Sequence, residues 1–454
     1  RETVSPTTQP RMICPASYLP PAPALVRVEV RDAGGQIDRE LWDAEAVLSA
    51  SPPGIALSTN RVTLHNGLGS ALVAFTGGGN FTLTATLATL SVNRSLVDLS
   101  SAPVTSVSGT LAGASSTWSG VVRVTATVTV PLGHTLTIAS NTLVLINGVA
   151  SGTAGPGLVV NGTLLSQGTE DYPVTITCYD PALRWGQIRH DNAQPSLYRH
   201  TSITRGGRAP GEGHTGTAPI IRPNNSTLTF EFCNLTDHAE TVRGAAGYGT
   251  PGKIMQANGS SVTFNDCVLA RARMGPEISA TALLVTNSYL TEMWGPDDAD
   301  GIYIHAQTGG QQCVLQRSVI AAGDDDGIDT LGSTVVVEDC IIRDWSNLLE
   351  DAKGISVFDG SMHVRRSLIV DCTVGISAKT TSSSTSVRVT INQSTLTGNL
   401  TNALAQYKPP GAVGSAIDYR ITNSVLWGGD AVVSDFALTN FTIVYSDLSE
   451  SWSD

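Results

Sequence analysis

Charge is scarce in this chain. Only 15% of its 454 residues are Asp, Glu, Lys or Arg, and aromatic residues make up 6%. Basic residues are the rarer sign, 27 against 39 acidic ones, for a net charge of -12. That balance excludes nucleic acid as a partner, because phosphate backbones ask for a basic face. It permits a bound cation, and it repels an acidic polymer unless a cation bridges the two. No apolar run reaches the ~18 residues of a membrane span. Cysteine is sparse and scattered: the seven residues (14, 178, 233, 267, 313, 340 and 372) form no CxxC pair and no zinc-type spacing. They do not read as a disulfide framework. The chain starts at Arg1 without Met or a signal peptide, so a mature or trimmed form is expected. Gly, Ser, Thr, Val and Asn fill the space that charge leaves, a composition of strands and turns.

Residues 1–20 are rich in Pro and Thr and read as an extended lead-in. Residues 21–106 carry short alternating runs such as Leu25–Arg31, Ala71–Phe75 and Phe81–Leu87, separated by Gly, Asn and Pro turns. This pattern fits a small β-sandwich that resembles immunoglobulin-like modules, acting as a spacer. Residues 107–454 are periodic. A small residue followed two positions later by Leu or Ile recurs at Cys233, Cys267, Ser288, Ser318, Cys340, Ser367, Ser394, Ser424 and Ser446. Nine anchors at steps of about 21 to 34 residues are the mark of a solenoid. No helical stripe competes with them. The expected fold is all-β, a right-handed parallel β-helix preceded by the small sandwich. Buried stacking is the expected role of Cys233, Cys267 and Cys340. Sequons such as Asn80-Phe-Thr and Asn234-Leu-Thr read as products of composition. The glycine-rich loop ending at His214 lacks Gly-Lys-Ser/Thr and reads as a coil insertion. The acidic tail after Tyr445 has no obvious cap, so the chain is expected either to continue past Asp454 or to fold its tail over the open end.

Within the solenoid, one frame repeats as Asp300-Gly-Ile302, Asp326-Gly-Ile328, Lys353-Gly-Ile355 and Val374-Gly-Ile376. If the four isoleucines point inward, alternation fixes three outward columns. The first is Asp300, Asp326, Lys353 and Val374. The second is Tyr303, Asp329, Ser356 and Ser377, and the third is His305, Leu331, Phe358 and Lys379. Coils about 4.8 Å apart then bring Asp300, Asp326 and Asp329, with Asp325 at the bend, to one point. Carboxylates that close raise one another's pKa unless a cation sits between them. Several hard oxygens suit Ca²⁺, and the lack of His or Cys beside them argues against zinc.

Ala299-Asp-Gly-Ile302 followed by Asp325-Asp-Gly-Ile-Asp329 resembles the calcium site of the family nine polysaccharide lyases, pectate-lyase-like β-helices that cleave polygalacturonate by β-elimination. The resemblance implies Asp300, Asp325, Asp326 and Asp329 as calcium ligands and an acidic, uronate-bearing polysaccharide as substrate. The family's base lysine is not matched; Ser356 holds its place. Elimination needs a base for a weakly acidic proton, and the nearby candidates are Lys353 and Lys379, with Arg365 and Arg366 one short strand further on. Lys353 shares a column with Asp326 and reads equally as its ion-pair partner. Tyr303, His305 and Phe358 are the outward groups expected to meet substrate, with Tyr303 and Phe358 as an exposed aromatic pair.

Two other readings stand beside this one. The spacing of Asp300-Gly, Gly323-Asp-Asp325 and Gly375-Ile-Ser-Ala-Lys379 resembles polygalacturonase-type glycoside hydrolases, although their Gly-His-Gly is absent. The Gly-Ile frame also resembles repeats of large bacterial surface proteins, in which calcium would only rigidify a non-catalytic, adhesive solenoid. All three readings imply a secreted or cell-surface protein.

Overall fold

The computed structural model of the chain describes residues 9–152, 154–239, 252–295, 297–308, 310–346, 351–381, 386–407, 416–427 and 439–449. The first part of the expected lead-in and the last part of the acidic tail lie outside these residues. Contacts divide the chain into two compact units, Arg1–Pro210 with Phe230–Ala239, and Gly211–Thr229 with Glu240–Asp454.

The first unit opens with an antiparallel sheet in which Ala24–Arg31 pairs with Leu68–Val73, and Asp43–Ser51 pairs with both Arg61–His65 and Phe81–Leu87. Val26, Val28, Leu64, Phe75 and Leu83 close its core without solvent contact. Gln9–Ile13, in the stretch expected to be a lead-in, is a strand paired along Ala24–Arg31. Pro10 is tolerated there because an edge strand need not donate on both sides. The same unit continues into parallel coils. Val104–Thr110 pairs with Val121–Val130, which pairs with Leu143–Ile146, and Leu143–Ile146 pairs with Val174–Cys178.

The second unit is a parallel β-helix with three strands in each complete coil. One stack runs from Ser261–Asn265 through Ala282–Thr286, Cys313–Gln316, Thr334–Glu338, Ser361–Arg365 and Val387–Asn392 to Ile417–Thr422. A second runs from Val268–Ala272 through Tyr289–Met293, Val319–Gly323, Ile341–Trp345, Leu368–Val370 and Thr395–Thr397 to Val425–Trp427. The third carries the aspartates. It stacks Gly252–Asn258, Met274–Ser279, Ile302–His305, Ile328–Leu331, Lys353–Phe358, Val374–Lys379 and Asn402–Tyr407. Right-handed winding is the hand that parallel crossovers take.

The interior rows are those that the period predicts. Ile302, Ile328, Ile355, Ile376 and Leu404 stack in register and are fully buried, each worth roughly 1.5–3 kcal/mol of burial. The small anchors form a ladder of their own. The hydroxyls of Ser288, Ser318, Ser367, Ser394, Ser424 and Ser446 each accept from the backbone amide of an anchor one coil earlier, at 3.0–3.2 Å. All seven cysteines are buried and unbridged.

One interior residue fixes the shape of the site. Trp345 is fully buried, and its indole donates to the Ile320 carbonyl at 3.1 Å. Its ring fills the corner under the aspartate turns. A Cβ added at Gly323 would fall 2.0 Å from the ring, and Cβ atoms at Gly301 and Gly327 would come within 3.0 Å of it. Gly323 is therefore the residue that lets the backbone lie on this indole, while a Cβ at the frame glycines 301 and 327 would first meet the carbonyl of the next coil's glycine, at 2.4 and 2.6 Å.

Candidate functional site

The three outward columns form as the alternation requires. Tyr303 faces Asp329, Asp329 faces Ser356 and Ser356 faces Ser377, while His305, Leu331, Phe358 and Lys379 align beside them. At the preceding bends, Gly301 N donates to Asp326 O and Gly327 N to Lys353 O, both at 2.8 Å. These bonds lock the aspartate turns of successive coils together. One carboxylate oxygen each from Asp300, Asp326 and Asp329 lies within 4.8 Å of the others. Asp325 stands beside them and accepts from the Ala299 amide at 3.4 Å.

Asp300 and Asp326 are buried, at 3% and 5% exposed, and Asp325 and Asp329 are half-buried. Burial, reinforced by Asp329, Asp326 and Asp325, pushes the Asp300 carboxyl well above the usual carboxylate range. Burial and Asp326 raise Asp325 to about 7, against the pull of Lys353. Asp329 is raised to about 6 by burial and Asp326, against Lys379. Oxygens sharing one Ca²⁺ at about 2.3–2.6 Å lie no more than about 5 Å apart. The donor set therefore fits a hard divalent cation in both spacing and uncompensated charge.

Two of the residues expected to do chemistry are otherwise engaged. Lys353 donates from its backbone amide (2.9 Å) and from Nζ (3.1 Å) to Asp326 Oδ1. Burial works against its charge, yet Asp326 and Asp325 raise its pKa above the ordinary lysine value. It is an ammonium held by Asp326, the ion-pair partner that the shared column also suggested. Tyr303 is 3% exposed, which corrects the exposed aromatic pair. Its ring is stacked on His305 at 4.7 Å and tilted against His214 at 5.2 Å, and burial together with Asp329 raises its hydroxyl pKa. Phe358 and Lys379 are half-buried, and the charge of Lys379 reaches Asp329. Arg365 and Arg366 pair with Glu338, and Arg366 also with Asp339, which commits both arginines to carboxylates one coil earlier on their own side of the helix.

Sequence reasoning missed the next group along the same face. One coil before Tyr303 its column holds Glu277, and before that Gln256. Lys253 and Glu277 form an ion pair with no side-chain exposure. Lys253 Nζ also donates to Gln256 Oε1 (2.9 Å) and Glu212 O (2.8 Å). Glu277 Oε1 accepts from the His214 amide at 2.7 Å and lies 3.1 Å from His305 Nε2. The segment around His214 is thus strapped over the sheet by a buried lysine and a buried glutamate. Gly213, at φ +72°, sits so close that a Cβ would fall 2.3 Å from Glu277 Oε1. The signal was present in part, since Gly275 lies 26 residues before Gly301, one period earlier in the frame.

No family model matches this chain, and no curated protein matches it. Among solved structures it is similar to the Family 28 exopolygalacturonase of Yersinia enterocolitica at 7% identity and TM-score 0.37, over 97% of this chain and 98% of that one. It is similar to the A-module of mannuronan C-5 epimerase AlgE6 of Azotobacter vinelandii at 12% identity and TM-score 0.31, over 70% and 91%. A third is the alginate lyase of Paenibacillus sp. str. FPU-7, at 11% identity and TM-score 0.30, over 70% and 93%. At these scores the likeness assigns no activity, and the parallel β-helix rests on the strand pairing itself.

Proposed function

We propose that this chain is a secreted or cell-surface β-helix that holds Ca²⁺ at Asp300, Asp325, Asp326 and Asp329 and acts on a uronate-bearing polysaccharide by β-elimination. The observation that carries this reading is the convergence of two buried carboxylates, Asp300 and Asp326, and the half-buried Asp329 on one point, with the paired ammonium of Lys353 beside them. A cation bound there supplies the positive charge that offsets a uronate carboxylate and acidifies the neighbouring C–H. The chain's own groups do the rest. The aspartates hold the ion, and Lys353 balances Asp326. Lys379, whose charge reaches the cluster, holds a sugar carboxylate from the C-terminal side.

A second reading, a non-catalytic solenoid stiffened by the same ion, is favoured by the low exposure of Asp300 and Asp326. Incubation with polygalacturonate, alginate and glycosaminoglycans, read by the ultraviolet absorbance of unsaturated uronate ends, separates the two. The expected result is a calcium-dependent signal that is lost in Asp329→Ala. New reducing ends without unsaturation would move the assignment to a hydrolase. Silence on all three substrates, with stability still raised by Ca²⁺, would leave a structural ion.

A further inference from the structure

The strapped group beside the aspartates has the parts of a proton-transfer site. Glu277 is fully buried and ionised: burial alone would raise its pKa, but His305, Lys253 and the His214 amide together bring it down to about 2. A carboxylate can only accept, so His305 donates Nε2–H to it across 3.1 Å, and the ring's lone pair is on Nδ1. Stacking on Tyr303 fixes the plane of that ring. The His305 side chain keeps 19% of its surface open, whereas Glu277 keeps none. A partly open imidazole is thus held in place by a buried carboxylate and a ring stack.

We propose that His305 is the catalytic base of this site, with Glu277 as the residue that positions it. The proposal rests on the elimination reading above. Nδ1 takes the proton from the ring carbon next to the uronate carboxylate, and that C–H electron pair becomes the new C=C bond. The bond to the glycosidic oxygen breaks, and the oxygen leaves with its electron pair and takes a proton from water. His305 then returns its own proton to water, so nothing is oxidised, reduced or hydrolysed overall. Tyr303 on the same strand, Glu277 on the preceding coil and His214 on the strap face the imidazole or its stacked partner, with Asp298 near His214 and Leu331 next in register.

The test is elimination kinetics of the full chain with Ca²⁺ on whichever polyuronate gives unsaturated product. His305→Ala is expected to lose kcat about a hundredfold or more, to keep its Ca²⁺ affinity, and to regain part of the rate with added imidazole. Glu277→Gln is expected to lower kcat with KM little changed and to show no imidazole rescue. His305→Gln, closer in volume, guards against misfolding and should be equally slow. An active wild type with His305→Ala within threefold of it would overturn this proposal and leave the elimination reading standing. A wild type that makes no unsaturated product from any polyuronate would overturn both.

Discussion

Lys253→Ala is expected to lower the stability of the chain by about 3–5 kcal/mol, the usual cost of leaving one member of a buried ion pair unpaired. Lys253 and Glu277 have no side-chain exposure, and burial lowers the lysine's pKa because its charge is out of water. Two of its three acceptors, Gln256 Oε1 and Glu212 O, belong to different segments, so the truncation also unties the strap from the sheet. Combining Lys253→Met with Glu277→Gln removes both charges, while the amide oxygen introduced in place of the carboxylate still accepts from His305 and the His214 amide. It should recover most of the loss. Chemical denaturation checks both, and a Lys253→Ala midpoint equal to wild type would show that the pair is not closed in solution.

The second large effect is the dependence on divalent cation and pH. In the cation-free protein the carboxyls of Asp325 and Asp329 titrate near 7 and 6, above their ordinary range, and Asp300 higher still. A carboxyl whose folded pKa is raised contributes stability that is complete below its unfolded pKa, near 4, and is lost as pH rises through the folded value. Chelated protein should therefore be less stable at pH 8 than at pH 5, the loss from Asp325 and Asp329 running between about pH 4 and 7. Added Ca²⁺ should offset part of this loss, because it binds the ionised cluster. At a free concentration about 100-fold above its Kd it adds roughly 2.7 kcal/mol. Thermal unfolding at the two pH values, with chelator and with Ca²⁺, reads the effect. A chelated protein more stable at pH 8 than at pH 5 would contradict it.

The sequence revealed direction well and cover poorly. A period of two along each strand and a near-constant step between coils were enough to put the four isoleucines inside and to set Asp300, Asp326 and Asp329 on one point. The Ser and Cys anchors were legible for the same reason, since a ladder one coil high forces one small residue per coil. Alternation says which way a side chain leaves the sheet, and nothing about what lies over it. Tyr303 points outward yet is covered, because an insertion several coils earlier in sequence brings His214 onto it. Glu277 was hidden because its coil reads Met-Gly-Pro-Glu-Ile-Ser, with no acidic residue before the glycine to flag the frame. Trp345 sits on another stack, and only the packing shows that its ring requires the glycine at 323, whereas those at 301 and 327 lie against the next coil's backbone carbonyls.

The most direct measurement is calorimetric titration of Ca²⁺ into the full chain at neutral pH, beside Asp300→Asn/Asp329→Asn. A cation centre predicts one saturable site in the wild type that disappears in the double variant, with both proteins folded. No binding to the wild type, or the same affinity in the variant, would contradict the assignment of these aspartates as a metal centre.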